Sequence, residues 1–171
     1  MDESQRRAKQ LTKSLFAIYL IVMGWIILLK LGVQFSYTEE RRINLIPFAN
    51  GYFTMVETIM NVVIFIPMGM YAGALFRNKL FGFKLFFFFL ISLVLEGLQY
   101  VFKLGAFDIT DLLTNTTGGV IGYLLYLGFR GFFKTPLQAQ KSFNLIVGSG
   151  TILIVALLVL LKLNMLPIKY Q

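Results

Sequence analysis

Five long apolar stretches, separated by short charged segments, constrain this sequence more than any other feature. They cover residues 15–33, 54–76, 85–102, 111–129 and 143–163. An α-helix of about 20 apolar residues crosses the hydrocarbon core of a bilayer. The composition fits this environment, because 57% of the residues are hydrophobic and only 14% are charged. The sequence therefore predicts an all-α integral membrane protein, built as a bundle of about five transmembrane helices.

The residue types that the sequence lacks limit its chemistry. It holds no Cys and no His, which excludes disulfide bonds, thiol nucleophiles and imidazole metal ligands. Any chemistry must rest on carboxylates, amides, hydroxyls, Lys and Arg. The net charge of +8 is scattered between apolar stretches and forms no stripe with interleaved aromatic residues. Attraction to anionic lipid headgroups is therefore favoured, and no nucleic-acid partner is predicted.

The basic residues are unequally shared between the two sides of the predicted bundle. With the N-terminus in the cytoplasm, ten of the 16 lie on the cytoplasmic side: Arg6, Arg7, Lys9, Lys13, Arg77, Lys79, Lys84, Arg130, Lys134 and Lys141. Cytoplasmic loops carry the excess of Lys and Arg, so we predict a cytoplasmic N-terminus and an external C-terminus. The chain then divides into a basic cytoplasmic tail at 1–14, a four-span core at 15–130, and a segment at 131–171. The last segment holds a connecting loop, the fifth span and a short external tail.

Two local patterns predict how the helices are shaped and packed. Thr114, Gly118 and Gly122 recur every four residues, which lets another helix approach the fourth span closely. Pro67 lies inside the second span and lacks the backbone N–H that would bond to Val63, so a kink is expected there.

Polar side chains lie within the second, third and fourth apolar stretches at similar depths, and one more lies just ahead of the fourth. Those within the stretches are Asn61, Glu96, Gln99, Asp111 and Asn115, and the one ahead is Asp108. Where two of these residues belong to the same helix, they are three or four positions apart and therefore lie on one face of that helix. The alternating direction of the spans brings all of them to the same shallow layer on the external side. A carboxylate at membrane depth is costly unless it has a role, so the sequence predicts one polar pocket.

Each of these residues also has a structural explanation. Asn61, Gln99 and Asn115 can form hydrogen bonds between helices, and Asp108 and Asp111 can cap the fourth helix. Glu96 is hardest to explain in this way, because a buried carboxylate needs a proton or a partner.

Outside the spans, Arg41 and Arg42 follow two acidic residues. They fit a solvated charged loop, and they also fit phosphate contacts on the external leaflet.

Five short motifs occur together in a fixed order. They are NLIPF at 44–48, NVVIFIPMG at 61–69, EGLQ at 96–99, DITD at 108–111 and NTTGG at 115–119. In sequence, order and spacing they resemble the VanZ-like family, over about residues 15–130. The resemblance implies a multi-pass protein of the bacterial plasma membrane, linked to lower susceptibility to teicoplanin, a glycopeptide antibiotic with a lipid tail.

Three functional hypotheses follow from the pocket and the resemblance together. In the first, the pocket binds a membrane lipid, a lipid-linked cell-wall precursor or the lipoglycopeptide itself. Its ligand-binding candidates are Arg41, Arg42, Asn44, Asn61, Gln99, Asp108, Asn115 and Thr116. In the second, the protein is an enzyme on lipid-linked substrates, with Glu96 and Asp111 as acid and base.

The acidic residues could also hold a divalent cation through Glu96, Asp108 and Asp111, and no other cofactor is predicted. In the third hypothesis, the protein is a non-catalytic scaffold or transport module. The sequence leaves the oligomeric state open.

Overall fold

A computed structural model describes residues 3–29, 42–48 and 55–162 of the chain. Within these ranges the chain forms five helices and two very short strands. The helices are α1 (Glu3–Leu29), α2 (Met55–Leu75), α3 (Phe81–Val101), α4 (Ile109–Gly131) and α5 (Pro136–Lys162). The strands are β1 (Ile43–Asn44) and β2 (Phe107–Asp108). The predominantly helical class is confirmed, but the chain is not purely α.

Three of these helices, α1, α2 and α3, are long and apolar enough to cross a membrane. Helix α4 is less apolar, because its first two turns carry Asp111, Asn115 and several threonines. The predicted total of five transmembrane helices and their orientation in the membrane stay predictions.

Helices α1 and α5 both begin earlier than the sequence predicts. Helix α1 has 27 residues, about 40 Å at 1.5 Å per residue, and it takes in the basic stretch that we expected to form a tail. Lys and Arg favour helices, and Glu3 pairs with Arg7 one turn later. Helix α5 starts at Pro136, a residue type that suits the first helical position. The rest of the first predicted span, at 30–33, lies outside the described residues.

Successive helices run in opposite directions. The Tyr19 hydroxyl on α1 donates to the Ile64 carbonyl on α2 over 2.7 Å. Between α3 and α4, Ser92 contacts Asn115, and Phe81 lies against Tyr123. Consequently the last turns of α1 and α3 meet the first turns of α2 and α4, which we call the polar end. We call the opposite end the basic end, because the ten residues predicted to be cytoplasmic lie there.

Helices α2 and α4 run in parallel and pack with their backbones in close contact. A Cβ atom added to Gly122 would lie 1.9 Å from the Ile66 carbonyl oxygen, and one on Gly118 would lie 2.3 Å from that of Val62. On α2, a Cβ atom added to Gly69 would lie 1.9 Å from the Gly119 carbonyl oxygen of α4. Only glycine fits at such separations, so the close approach predicted from the glycine spacing is confirmed.

The core lies between α1, α2, α3 and α4. Its central cluster consists of Met23, Phe65, Met68, Ala72, Phe88 and Leu95. A second cluster nearer the basic end joins α5 to the bundle through Tyr71, Ala74, Tyr126 and Phe143. Helix α2 continues through Pro67, and the kink angle there stays a prediction.

Helix α5 is also held to α1 by buried polar contacts. The Asn144 Nδ2 atom donates to the Ala8 carbonyl over 2.8 Å, and Gln140 Nε2 donates to the Thr12 hydroxyl over 2.9 Å. Buried polar groups in native proteins are almost always hydrogen-bonded, and these contacts meet that need. They fix the start of α5 beside the start of α1, at the basic end.

Candidate polar cavity

A two-stranded parallel pair organises the polar end. Ile43 lies opposite Phe107 and Asn44 opposite Asp108, and the Phe107 N–H donates to the Arg42 carbonyl over 3.0 Å. The pairing holds the segment at 42–48 against the connection between α3 and α4. The sequence does not predict this strand pair, because strands of two residues have no periodic pattern that a sequence could reveal.

Asp108 fixes the start of α4. One carboxylate oxygen, Oδ1, accepts from the Thr110 N–H over 2.7 Å, in the arrangement of a helix N-cap. The other, Oδ2, accepts from Asn44 Nδ2 over 3.1 Å. The capping role that the sequence offered for Asp108 is confirmed. Its own N–H donates to Glu96 Oε2 over 3.2 Å, so the same residue links α3 to α4.

Two further side chains hold the polar end together across helices. Asn61 Nδ2 on α2 donates to Asp111 Oδ1 on α4 over 2.7 Å. The close packing of these helices allows so short a bond between side chains near their first turns. Gln99 Nε2 on α3 donates to the Ile27 carbonyl over 3.2 Å, near the end of α1. The interhelical hydrogen bonds that the sequence offered for Asn61 and Gln99 are therefore present.

Asn115 differs from the other amides of the cavity, because one polar atom of its side chain is buried without a partner in the described part of the chain. Its Nδ2 atom donates to the Ser92 hydroxyl over 3.0 Å. Its Oδ1 atom is buried and has no hydrogen-bond partner among the residues that the structure describes, and the residue is only 2% exposed. Native proteins leave few buried acceptors unpaired, so this atom marks a place where a hydrogen-bond donor would be stabilised.

These side chains surround a cavity of about 380 Å³ between α1, α2, α3 and the start of α4. All six residues of the predicted pocket line it: Asn61, Glu96, Gln99, Asp108, Asp111 and Asn115. Glu57 and the backbone at Gly105 and Ala106 complete its polar wall. The opposite wall is apolar and consists of Ile26, Ile27, Val56, Met60 and Ile64. The cavity is therefore amphipathic, with acceptors on one side and hydrocarbon on the other.

Glu96 is the most deeply buried acidic residue of this cavity, at 1% exposure. It lies on the same face of α3 as Ser92 and Gln99, each one turn away. Because its carboxylate accepts from the β2 backbone at Asp108, it sets the position of the α3–α4 connection. It also lines the cavity.

Four of the predicted ligand-binding residues do not line the cavity or are not described. Asn44 lies behind Asp108, and the Thr116 hydroxyl donates to the Leu112 carbonyl of its own helix over 2.7 Å. Arg42 is exposed and contributes its backbone carbonyl to the strand pair. Arg41 lies outside the described residues.

Metal binding was proposed for Glu96, Asp108 and Asp111. In the ranges that the structure describes, no group of three or more acidic side chains is arranged to hold a metal ion. Both carboxylate oxygens of Asp108 already accept hydrogen bonds from the chain itself. The binding of a divalent cation therefore stays a prediction.

Two contributors to the polar end are absent from the candidates drawn from the sequence. Ser92 is fully buried and bonds Asn115; its spacing of four residues before Glu96 is the signal that could have revealed it. The Thr110 hydroxyl accepts from the Phe48 N–H over 3.0 Å. This contact joins distant segments, and no local sequence pattern indicates it.

The apolar helices and the polar cavity together define a class: a helical membrane protein with an amphipathic cavity at one end of its bundle. Comparison with known proteins then gives the family. The chain belongs to the VanZ/LLP1 family, whose model matches residues 16–134. It is 39% identical to Protein VanZ of Enterococcus faecium over 156 residues, which cover 88% of this chain and 92% of that protein. No solved structure matches the chain significantly.

Proposed function

We propose that this protein lowers susceptibility to teicoplanin-type glycopeptide antibiotics by binding a lipid or lipid-linked headgroup in the polar cavity. The similarity to Protein VanZ supports the resistance role. The observation that carries the binding role is the cavity of about 380 Å³, because one of its lining residues, Asn115, holds a buried oxygen without a hydrogen-bond partner among the described residues. A headgroup that donates a hydrogen bond to this side chain would satisfy an acceptor that the described part of the chain leaves unpaired.

The two walls of the cavity suit an amphipathic ligand. On the apolar wall, Val56 and Met60 belong to the outer face of α2 and are exposed, so they would face lipid in a membrane. An acyl or prenyl chain could lie along these residues while the headgroup reaches the amides and carboxylates. Placing the polar end in the external leaflet, as the charge distribution favours, brings the ligand to the side that a glycopeptide reaches first.

A single substitution tests the proposal. Asn115→Leu removes the unpaired acceptor and fills part of the cavity with an apolar side chain. We expect cells that express this variant to become as susceptible to teicoplanin as cells without the protein, because the headgroup loses its partner and its space. The measurement is the minimum inhibitory concentration, at equal amounts of protein in the membrane.

Thr117→Val is the matched control on the same helix. Thr117 is exposed, and its hydroxyl donates to the Leu113 carbonyl of α4 itself, away from the cavity. This variant should keep full resistance. Wild-type resistance in an Asn115→Leu variant present at the normal level would show that the cavity does not carry the function.

A further inference from the structure

A second cavity, of about 370 Å³, lies at the basic end, far from the polar cavity. It is formed where α1, the turn between α2 and α3, and the start of α5 come together. Its polar lining consists of Gln5, Lys9, Arg77, Asn78, Lys79 and Gln140. Every one of these side chains can donate hydrogen bonds, and three of them carry a positive charge.

The charges around this basic cavity are almost all of one sign. Among the acidic residues that the structure describes, Glu3 alone lies at the basic end, and it forms an ion pair with Arg7. Lys9, Arg77 and Lys79 come from two different parts of the chain and line one cavity, and Lys79 Nζ also lies 5.6 Å from the centroid of the Phe83 ring. Like charges so arranged repel one another, so an anion between them would relieve an unfavourable interaction.

The start of α5 adds to the positive potential. Thr135 and Gln138 form a capping box: the Gln138 N–H donates to Thr135 Oγ1 over 3.2 Å, and the Thr135 N–H donates to Gln138 Oε1 over 3.3 Å. The helix that follows has 27 residues, and Pro136 and Leu137 at its first turn line the cavity. The positive end of a helix dipole therefore faces the same space as the three cations.

The geometry points to a binding site for the phosphate group of an anionic phospholipid. Arginine and lysine together with amide donors are the groups that bind phosphate. A lipid is favoured over a free phosphate because the floor of the cavity is apolar, with Ala74 and Phe76 from the end of α2. Beside it, Leu80 is 83% exposed and directly precedes the strongly apolar helix α3, along which acyl chains can lie.

Binding at this site would add a link between three parts of the bundle. The phosphate would bridge α1 and α5 to the turn between α2 and α3. Gln140 already bonds Thr12 beneath the cavity, so the ligand would extend an existing contact. The site is independent of the polar cavity, and a bound anionic lipid should raise the stability of the folded protein.

The test compares two pairs of substitutions that remove the same charge. Arg77→Gln with Lys79→Gln removes two cations of the cavity, whereas Lys13→Gln with Lys134→Gln removes two cations of the same end that do not line it. Each purified full-length protein is titrated with phosphatidylglycerol, with phosphatidylcholine and with inorganic phosphate. Bound lipid is measured by native mass spectrometry, and stability by thermal unfolding.

We expect the wild type and the control pair to bind phosphatidylglycerol equally, and the cavity pair to bind it about tenfold more weakly, since two charge-assisted contacts are lost. Phosphatidylglycerol, but neither phosphatidylcholine nor inorganic phosphate, should raise the unfolding temperature of the wild type. Equal weakening in both pairs would overturn the site, because net charge alone would then hold the lipid. Equal stabilisation by inorganic phosphate would overturn the assignment to a lipid.

Discussion

At the scale of single residues, the side chains of the polar end have two different roles. Some hold the structure together, and others are available to a ligand. Asp108 belongs to the first group, since both of its carboxylate oxygens accept hydrogen bonds from the chain. Asn115 belongs to the second, since its Oδ1 atom is buried and no described residue bonds to it. Both residues line one cavity and have similar chemistry, so only their hydrogen-bond partners distinguish these roles.

The capping role of Asp108 gives a prediction at this scale. Asp108→Ala removes the N-cap of α4 and the partner of Asn44, and should lower the free energy of unfolding by about 1–2 kcal/mol. Asp108→Asn should keep most of that stability, because Asn caps helices as well as Asp does. Unfolding of the purified protein in increasing SDS measures both values. Equal losses in the two variants would show that the negative charge matters, and not the cap.

At the scale of helices, the α2–α4 contact determines whether the polar cavity forms. Both Asn61 and Asp111 lie near the first turns of these helices, and their hydrogen bond of 2.7 Å requires the backbones to be close. Gly118 and Gly122 provide that closeness. A change far from the cavity along the same contact should therefore disturb it.

Gly122→Ala tests this dependence. The added methyl group would lie 1.9 Å from the Ile66 carbonyl oxygen, so the helices must separate, at a cost of about 1–3 kcal/mol. Gly128→Ala is the matched control on α4, because no atom of another described part of the chain lies within 4 Å of the added group. We expect only Gly122→Ala to lower the SDS concentration of half-unfolding and to reduce resistance to teicoplanin. A similar effect of both variants would contradict the packing argument.

Much of the helix arrangement and of the polar cavity could be predicted from the sequence. The lengths of the apolar stretches indicated α2, α3 and α4 to within a few residues, because lipid and a packed core favour the same side chains. The starts of α1 and α5 were missed, since polar residues that extend a helix beyond an apolar stretch leave the hydropathy pattern unchanged. The six pocket residues came together as expected from helical spacing and alternating direction. The strand pair and the Thr110–Phe48 contact could not be foreseen, because they join segments distant in sequence.

At the scale of the whole molecule, the two cavities lie at opposite ends and have opposite chemistry. The polar cavity presents carboxylates and amide oxygens, and the basic cavity presents ammonium, guanidinium and amide donors. Membrane proteins show a comparable difference between their two sides, because their cytoplasmic loops carry the excess of Lys and Arg. The distribution of charge along the bundle therefore predicts that the polar cavity faces the outside.

The orientation can be measured cleanly because the sequence contains no Cys, so any introduced Cys is the sole reactive thiol. Ile46→Cys lies in an exposed position at the polar end, and Phe132→Cys lies in an exposed position at the basic end. In intact cells, we expect a membrane-impermeant maleimide to label the first variant and not the second, while permeabilised cells label both. The reverse pattern would place the polar cavity in the cytoplasmic leaflet. A headgroup bound there would be separated by the membrane from an external antibiotic, and the resistance mechanism proposed above would have to be abandoned.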